Sequence, residues 1–445
     1  MSQSAKREIW SSWLSFIWVA AGAAVGLGNV WKFPYMAGSY GGSAFVLMYL
    51  FFVLIVAMPL MAAEIMLGKL SQRNAVDGFV YLAKLHGLSE RWRFTGYLGL
   101  LTLLLVFCFY SVVAGFSIAY LLFALTNSFS GLSPADIQAL WVNFLAQPSA
   151  LIGCAGLFII CTMAIVHFGI KQGIERACSL MMPALLLVLA VLVVYASMGS
   201  GFSQALSFLF AFEPDKIKAS VVISSLGHAF FTLAVGACAM MVYGSHLPDH
   251  VSIVKSVFVV AALDVIVALL SGLAIFPLIF ARGLEPAQGP GLMFISLPMV
   301  FANMPLGWLW ASLFFVLLFF AALSSALSFA EPLVDVLVTK INLRRSYAIL
   351  LIGILVLIGS IICALSFNIW SHIKIAGRLS IFDMVADIST NLLLPIGAIL
   401  IALFSGLVIK PKNFWAFYAW RMLIMGIVPL AIIIVMLHGL ADVLR

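Results

Sequence analysis

Ala23-Ala24-Val25-Gly26-Leu27-Gly28-Asn29 interrupts the first long apolar run of this chain, in the midst of residues otherwise suited to lipid. Two glycines and an asparagine weaken a helix wherever they stand. At membrane depth the cost is larger, because an unpaired peptide group in hydrocarbon loses several kcal/mol. Backbone that leaves the helical ladder there must be buried in protein or line a cavity. The stretch therefore predicts a helix unwound midway, with carbonyls and half-helix ends turned toward something that binds.

The rest of the chain supports a membrane setting. Of 445 residues 64% are apolar and only 9% charged, with 36 phenylalanines, and the mean hydropathy is +1.20. Soluble domains are about 45–50% apolar and about 25% charged. The pattern predicts an all-α polytopic membrane protein with about eleven spans, each long enough to cross ~30 Å of hydrocarbon. They fall near 11–36, 41–68, 94–126, 150–168, 173–198, 218–245, 252–281, 306–338, 346–366, 382–409 and 416–440. The first run is too long for a signal-peptide core and lacks a small-residue cleavage site. The six cysteines lie in apolar runs without metal or redox spacing and read as small buried hydrophobes.

The net charge of +7 has an internal explanation. Of 23 Lys and Arg residues, sixteen fall in one alternate set of loops and six in the other, with Lys32 inside the first span. The positive-inside rule then places the N-terminus in the cytoplasm and the chain in the cell (plasma or inner) membrane. No basic surface is left that requires nucleic acid. Two long connections lie outside, 127–149 and 282–305; the second mixes Pro and Gly with an apolar stretch and reads as a packed re-entrant lid. The segment 69–93, with Asp77-Gly78, reads as a short surface helix with turns.

Ala24-Val25-Gly26 in span one recurs as Ala234-Val235-Gly236 in span six. Interrupted helices in corresponding halves point to a transporter's binding site. Several polar residues stand near these breaks. Asp264 lies within an apolar run from Val257 to Leu270, where a carboxylate costs ~2.5–3.5 kcal/mol on insertion scales and marks ion or substrate paths. Ser324 and Ser325 with the Ala321 carbonyl offer oxygens to Na⁺, although serines in membrane helices also bond back to their own helix. Thr232 precedes the second break, and Tyr110 offers a phenol beside Val106. Glu64 is suited to capture amides freed by a broken helix. Glu331, with Arg7 and His246, suits an inner closing network, the alternative being snorkelling interfacial charges.

Together these residues resemble the neurotransmitter:sodium symporter family, in particular its bacterial amino-acid transporters. The most specific part is Gly26-Leu27-Gly28-Asn29-Val30-Trp31-Lys32-Phe33-Pro34-Tyr35, and the likeness runs from Arg7-Glu8-Ile9-Trp10 to the last span. It implies two inverted five-helix repeats with helices one and six unwound mid-membrane. Residues 1–198 form the first repeat, 218–409 the second, and 416–445 an additional span.

The resemblance further implies two sodium sites. One uses Ala24, Asn29, Thr232, Asp264 and the substrate carboxylate; the other uses the carbonyls of Gly22, Val25 and Ala321 with Ser324 and Ser325. The substrate would lie against Ala24, Gly26, Leu27, Gly28, Val106, Tyr110, Phe231, Thr232, Ala234, Ala237, Ser325 and Phe329. Relatives that carry biogenic amines have an acid where this chain has Gly26, so an α-amino acid fits better, and Ala237 leaves space for a bulky or aromatic side chain.

Four departures stand out. Lys32 replaces the outer-gate arginine, facing Asp387 or, one turn earlier, Asp383. His228 stands where a glutamine often supports that gate. Ala268 occupies a position used for chloride or an acid, the missing charge being supplied by Asp264. Thr339 stands where the inner gate has an aspartate, leaving Glu331 as the acidic partner of Arg7. Gly173 and Pro183 also match a family spacing associated with unwinding of helix five.

The expected function is sodium-coupled import of hydrophobic L-amino acids by alternating access, without chloride. The alternative is a sodium-binding channel or a non-transporting amino-acid sensor of the same fold. An intramembrane enzyme would need paired acids or a His/Cys constellation at depth, and Asp264 stands there alone. The expected partners are Na⁺, a small amino acid and membrane lipid; the oligomeric state is open.

Overall fold

Hydropathy sets the length of the helices, and glycine, asparagine and proline set where they break. In the computed structural model, which describes residues 8–283, 291–375, 378–410 and 414–444, the chain is helical throughout apart from short connections and one isolated bridge. Arg7, and Gly283-Leu284-Glu285-Pro286 beyond its first residue, lie outside the described residues.

Among the described residues, nine helices are long and apolar enough to cross a membrane. A tenth span is bent: α1 (Trp13–Ala24) and α2 (Gly28–Ser39) meet at 53°. The chain continues through α3 (Ser43–Ser71), α4 (Ala75–Leu85), α5 (Glu90–Leu125), α6 (Pro134–Leu145), α7 (Pro148–His167) and α8 (Ile170–Ser197). After the short α9 (Phe202–Phe210) comes a second broken segment, α10 (Ala219–Thr232) and α11 (Ala239–Gly244), in the place of the sixth expected span but with each piece too short to cross alone. Then follow α12 (Ile253–Phe280), α13 (Leu292–Ala302), α14 (Gly307–Thr339), α15 (Arg345–Leu365), α16 (Ile381–Val408) and α17 (Tyr418–Gly439). The span boundaries agree with the hydropathy reading to within a few residues.

The outer faces of α7, α8 and α15 expose Ile160, Leu180, Leu187 and Leu350, whereas α5 and α14 are largely buried. The two broken segments therefore sit inside a cylinder of apolar helices. The connection 69–93 departs from expectation in one respect. Asp77-Gly78 makes no turn but lies within α4, where a Cβ on Gly78 would meet Met241 Cε at 2.6 Å. Glycine serves close packing there.

The same device joins α3 to α11. A Cβ on Gly68 would overlap the Met241 carbonyl, and one on Gly244 would overlap the Ile65 carbonyl. These reciprocal glycines bring two backbones together as small residues do in membrane helix pairs.

Candidate functional site

Every peptide group released by a break needs a partner. At the first break Val25 turns to extended backbone (φ −74°, ψ 98°) and ends α1. The Gly26 amide is accepted by Asn29 Oδ1 at 3.1 Å, and the Leu27 amide points to Tyr110 OH at 3.4 Å. At the second break Ala234, Gly236 and Cys238 all take positive φ (51°, 99° and 66°). For the two non-glycine residues this conformation costs roughly 1–3 kcal/mol each. Glu64, fully buried on α3, accepts from the Gly236 amide, and the Met240 and Met241 amides at the start of α11 face the same carboxylate. Both Ala-Val-Gly triplets fall at the breaks.

Asp264 is fully buried near the middle of α12. Its Oδ1 accepts from Asn29 Nδ2 at 2.7 Å and its Oδ2 from Tyr49 OH at 2.9 Å. Thr232 Oγ1 lies 3.1 and 2.9 Å from the two carboxylate oxygens. Asn29, Thr232 and Asp264 are thus brought together from three distant parts of the chain, while Ala24 shares a pocket wall with Thr232. Tyr49 belongs to the same group, and no motif in the sequence marks it.

A second oxygen cluster lies on the other side of the first break. Ser324 Oγ is 3.1 Å from Ala321 O and 3.5 Å from Val25 O. Ser325 Oγ is 3.3 Å from Gly22 O, 3.4 Å from Ala23 O and 3.4 Å from Val25 O. Two hydroxyl protons cannot serve four carbonyls, so lone pairs are in excess. Oxygens that share a hard cation at about 2.4 Å sit about 3.4 Å apart, which is the spacing seen here. The donor set suits a hard cation of this kind. Among the described residues no group of three His, Cys, Asp or Glu exists that would hold a softer metal.

Between the clusters lies a tight pocket with a cavity volume of about 60 Å³, smaller than the ~300–1,000 Å³ of open small-molecule sites. All twelve residues expected to meet substrate line it, from Ala24, Gly26, Leu27 and Gly28 to Val106, Tyr110, Phe231, Thr232, Ala234, Ala237, Ser325 and Phe329. Ala23, from the first break, and Leu103, Ala239 and Leu394 complete its wall, the last three with no sequence signal beyond their hydrophobicity. The Tyr110 and Phe329 rings meet edge to face at 5.2 Å. Gly26 has no room for a side chain, since a Cβ there would overlap Ser325 Oγ and stand 3.3 Å from Tyr110 OH.

Two oxygen clusters flanking an apolar pocket at paired helix breaks are the hallmarks of sodium-coupled carriers, and comparison with known proteins agrees. The model of the sodium:neurotransmitter symporter family matches residues 7–138 and 150–440. This chain belongs to that family. It is a sodium-dependent transporter and a multi-pass membrane protein, not an enzyme. It is 36% identical to the sodium-dependent transporter YhdH of Bacillus subtilis, over 96% of this chain and 97% of the relative. A sodium-dependent transporter of Haemophilus influenzae is 32% identical over 92% of this chain and 90% of its own length. The crystal structure of MhsT in complex with L-phenylalanine superposes with a TM-score of 0.88, at 35% identity, covering 98% of this chain and all of that one.

Lys32 Nζ lies over the Phe231 ring, 4.5 Å from its centroid, so this cation rests on an aromatic face. Asp387 is the acid within electrostatic reach of Lys32, and it accepts from Asn391 Nδ2 at 3.0 Å. Asp383 instead forms a capping box with Ser380 at the start of α16. His228 is buried against the rings of Phe33, Phe45 and Tyr49, and neither ring nitrogen has a hydrogen bond among the described residues. Glu331 is gripped by Arg345 through Nη1–Oε1 at 3.2 Å and Nη2–Oε2 at 2.5 Å. The sequence offers Arg345 only as one basic loop residue among many. His246 Nδ1 lies 2.7 Å from the Glu8 carbonyl, and Thr339 Oγ1 bonds to the Asp335 carbonyl at 2.6 Å.

Proposed function

We propose that this protein imports hydrophobic L-amino acids together with Na⁺ by alternating access and needs no chloride. The observation that carries the reading is the convergence of Asn29 and Asp264 on Thr232, which lines the pocket together with the bare backbone of Gly26. The apolar wall favours an apolar side chain, and the ligand named with MhsT is L-phenylalanine. Ala237, at the pocket's edge, leaves space for an aromatic ring.

Two sodium ions are assigned. The first takes Ala24, Asn29, Thr232 and Asp264, completed by the substrate's carboxylate; the second takes Gly22, Val25, Ala321, Ser324 and Ser325. Asp264 supplies within the protein the negative charge that chloride would bring. Because the first ion and the substrate share a coordination shell, each raises the other's affinity by the same factor. Ser325 borders both the pocket and the second cluster, which links the second ion to the cargo as well. Lys32 with Asp387 closes the outer path, and Glu331, held by Arg345, closes the inner one together with Arg7. The N-terminus is placed in the cytoplasm, with repeats at 1–198 and 218–409 and an added span at 416–445.

A thermal-shift screen of the twenty amino acids with and without Na⁺ tests this. Stabilisation by large apolar amino acids, only when Na⁺ is present, is expected. Stabilisation independent of Na⁺, or by charged amino acids alone, would refute it.

A further inference from the structure

On an exposed apolar side of the bundle, away from the pocket, a cavity opens between the end of α7 and the start of α8. Its walls are Ala164, Ile165 and Phe168 from one helix and Gly173, Ala177 and Leu180 from the other, with Gln172 and Arg176 at its polar end. Phe168 and Leu180 are 63% and 73% exposed, so the apolar wall faces outward. The Arg176 side chain is exposed and makes no hydrogen bond or ion pair with the described residues. Lys171 and His167 are also exposed, beside the cavity's lining residues in sequence, at the junction of α7 and α8. The acids nearby are already engaged: Glu175 is buried and accepts from the Ser11 amide at 3.1 Å, and Glu8 faces the Lys171 amide at 3.4 Å.

The cavity lies over an irregular piece of backbone. Gly169 has φ 80°, and Ile170–Glu175 forms a π-helical turn before regular helix resumes. Gly173 abuts the Ile165 carbonyl so closely that a Cβ would overlap it. The neighbouring Val166 carbonyl is held by Arg345 at 2.7 Å, the residue that also grips Glu331. Whatever fills the cavity therefore touches the least regular turn of α8 and lies one residue from the inner ion pair.

We propose that this cavity is a binding site for an anionic phospholipid, with the headgroup phosphate at Arg176 and Lys171 and an acyl chain along Ile165, Phe168 and Leu180. Unpaired cations at one end and an exposed apolar wall at the other match the two ends of such a lipid and no soluble anion. The seated lipid braces the π-helical turn and slows its opening.

The test uses the full-length protein in vesicles of pure phosphatidylcholine and of equimolar phosphatidylcholine and phosphatidylglycerol. Hydrogen exchange over residues 168–177 is expected to slow in the mixed vesicles for the unaltered chain. Arg176→Gln with Lys171→Gln should abolish that slowing, and Arg176→Lys should retain it. Native mass spectrometry should show phosphatidylglycerol retained about fivefold more weakly for each basic residue lost. Equal melting temperatures of the variants in pure phosphatidylcholine exclude misfolding. Equal retention of phosphatidylglycerol by the unaltered and doubly substituted chains, or equal protection by phosphatidylcholine alone, would overturn the proposal.

Discussion

Gly26 and Gly28 lie two residues apart at the first break and both line the pocket, yet the structure assigns them opposite tolerance. A methyl group on Gly26 would overlap Ser325 Oγ, with Ser325 Cβ and Tyr110 OH each at 3.3 Å. On Gly28 the nearest atoms are Phe231 ring carbons at 3.7 and 3.8 Å, which is ordinary contact. Neither glycine has positive φ, so backbone freedom does not separate them. In Gly26→Ala the Ser325 hydroxyl must swing away from the Gly22, Ala23 and Val25 carbonyls or push α14 outward. Overpacking of this kind costs about 1–3 kcal/mol, which corresponds to about a 5- to 150-fold rise in the sodium concentration for half-maximal effect. Gly28→Ala should stay within about twofold, helped by the gain in helix preference. Sodium-dependent thermal shifts without amino acid measure the effect on ion binding apart from cargo. Equal weakening in both variants, or none in Gly26→Ala, would refute the assignment of Ser325 to the ion.

Asp264→Ala should abolish sodium-stimulated uptake in proteoliposomes, and normal uptake at low sodium in that variant would remove the coupling scheme. Ala237→Phe fills the pocket and should cost large aromatic amino acids at least about tenfold in apparent affinity while sparing alanine-sized ones, a difference read by competition uptake. Arg345→Gln leaves Glu331, 2% exposed, without its guanidinium. Breaking a buried pair costs about 3–5 kcal/mol, so the melting temperature should fall, and Glu331→Gln in the same chain should restore much of it.

The spans were legible because lipid makes their hydrophobicity nearly uniform, and the first break because Gly26, Gly28 and Asn29 are poor helix formers in an apolar run. The second break is only half visible. Ala234 and Cys238 take left-handed backbone that neither residue type announces, and only Gly236 gives a local cue. What holds the break is distant: Glu64, 172 residues away along the chain, captures the Gly236 amide. Tyr49 escapes a sequence reading for the same reason, since its hydroxyl meets Asp264 across 215 residues. A lone buried tyrosine in a phenylalanine-rich helix has no local mark. The ion pair of Glu331 with Arg345 was hidden by the number of basic residues at that membrane edge. Asp383 and Asp387 stand one turn apart in the sequence, and only the fold separates them: Asp383 is tied up in the Ser380 capping box while Asp387 faces Lys32.

The reciprocal glycines Gly68 and Gly244 bear on which parts of the molecule can travel. With carbonyl of one strut seated against the bare α-carbon of the other, α3 and α11 have no slack between them and must ride as one piece. α1 meets α14 more loosely at the second oxygen cluster, through the Ser324 and Ser325 hydroxyls 3.3–3.5 Å from the Gly22, Ala23 and Val25 carbonyls. A movement that parted these oxygens would bend the chain at Val25–Leu27 and leave α11 fixed to α3.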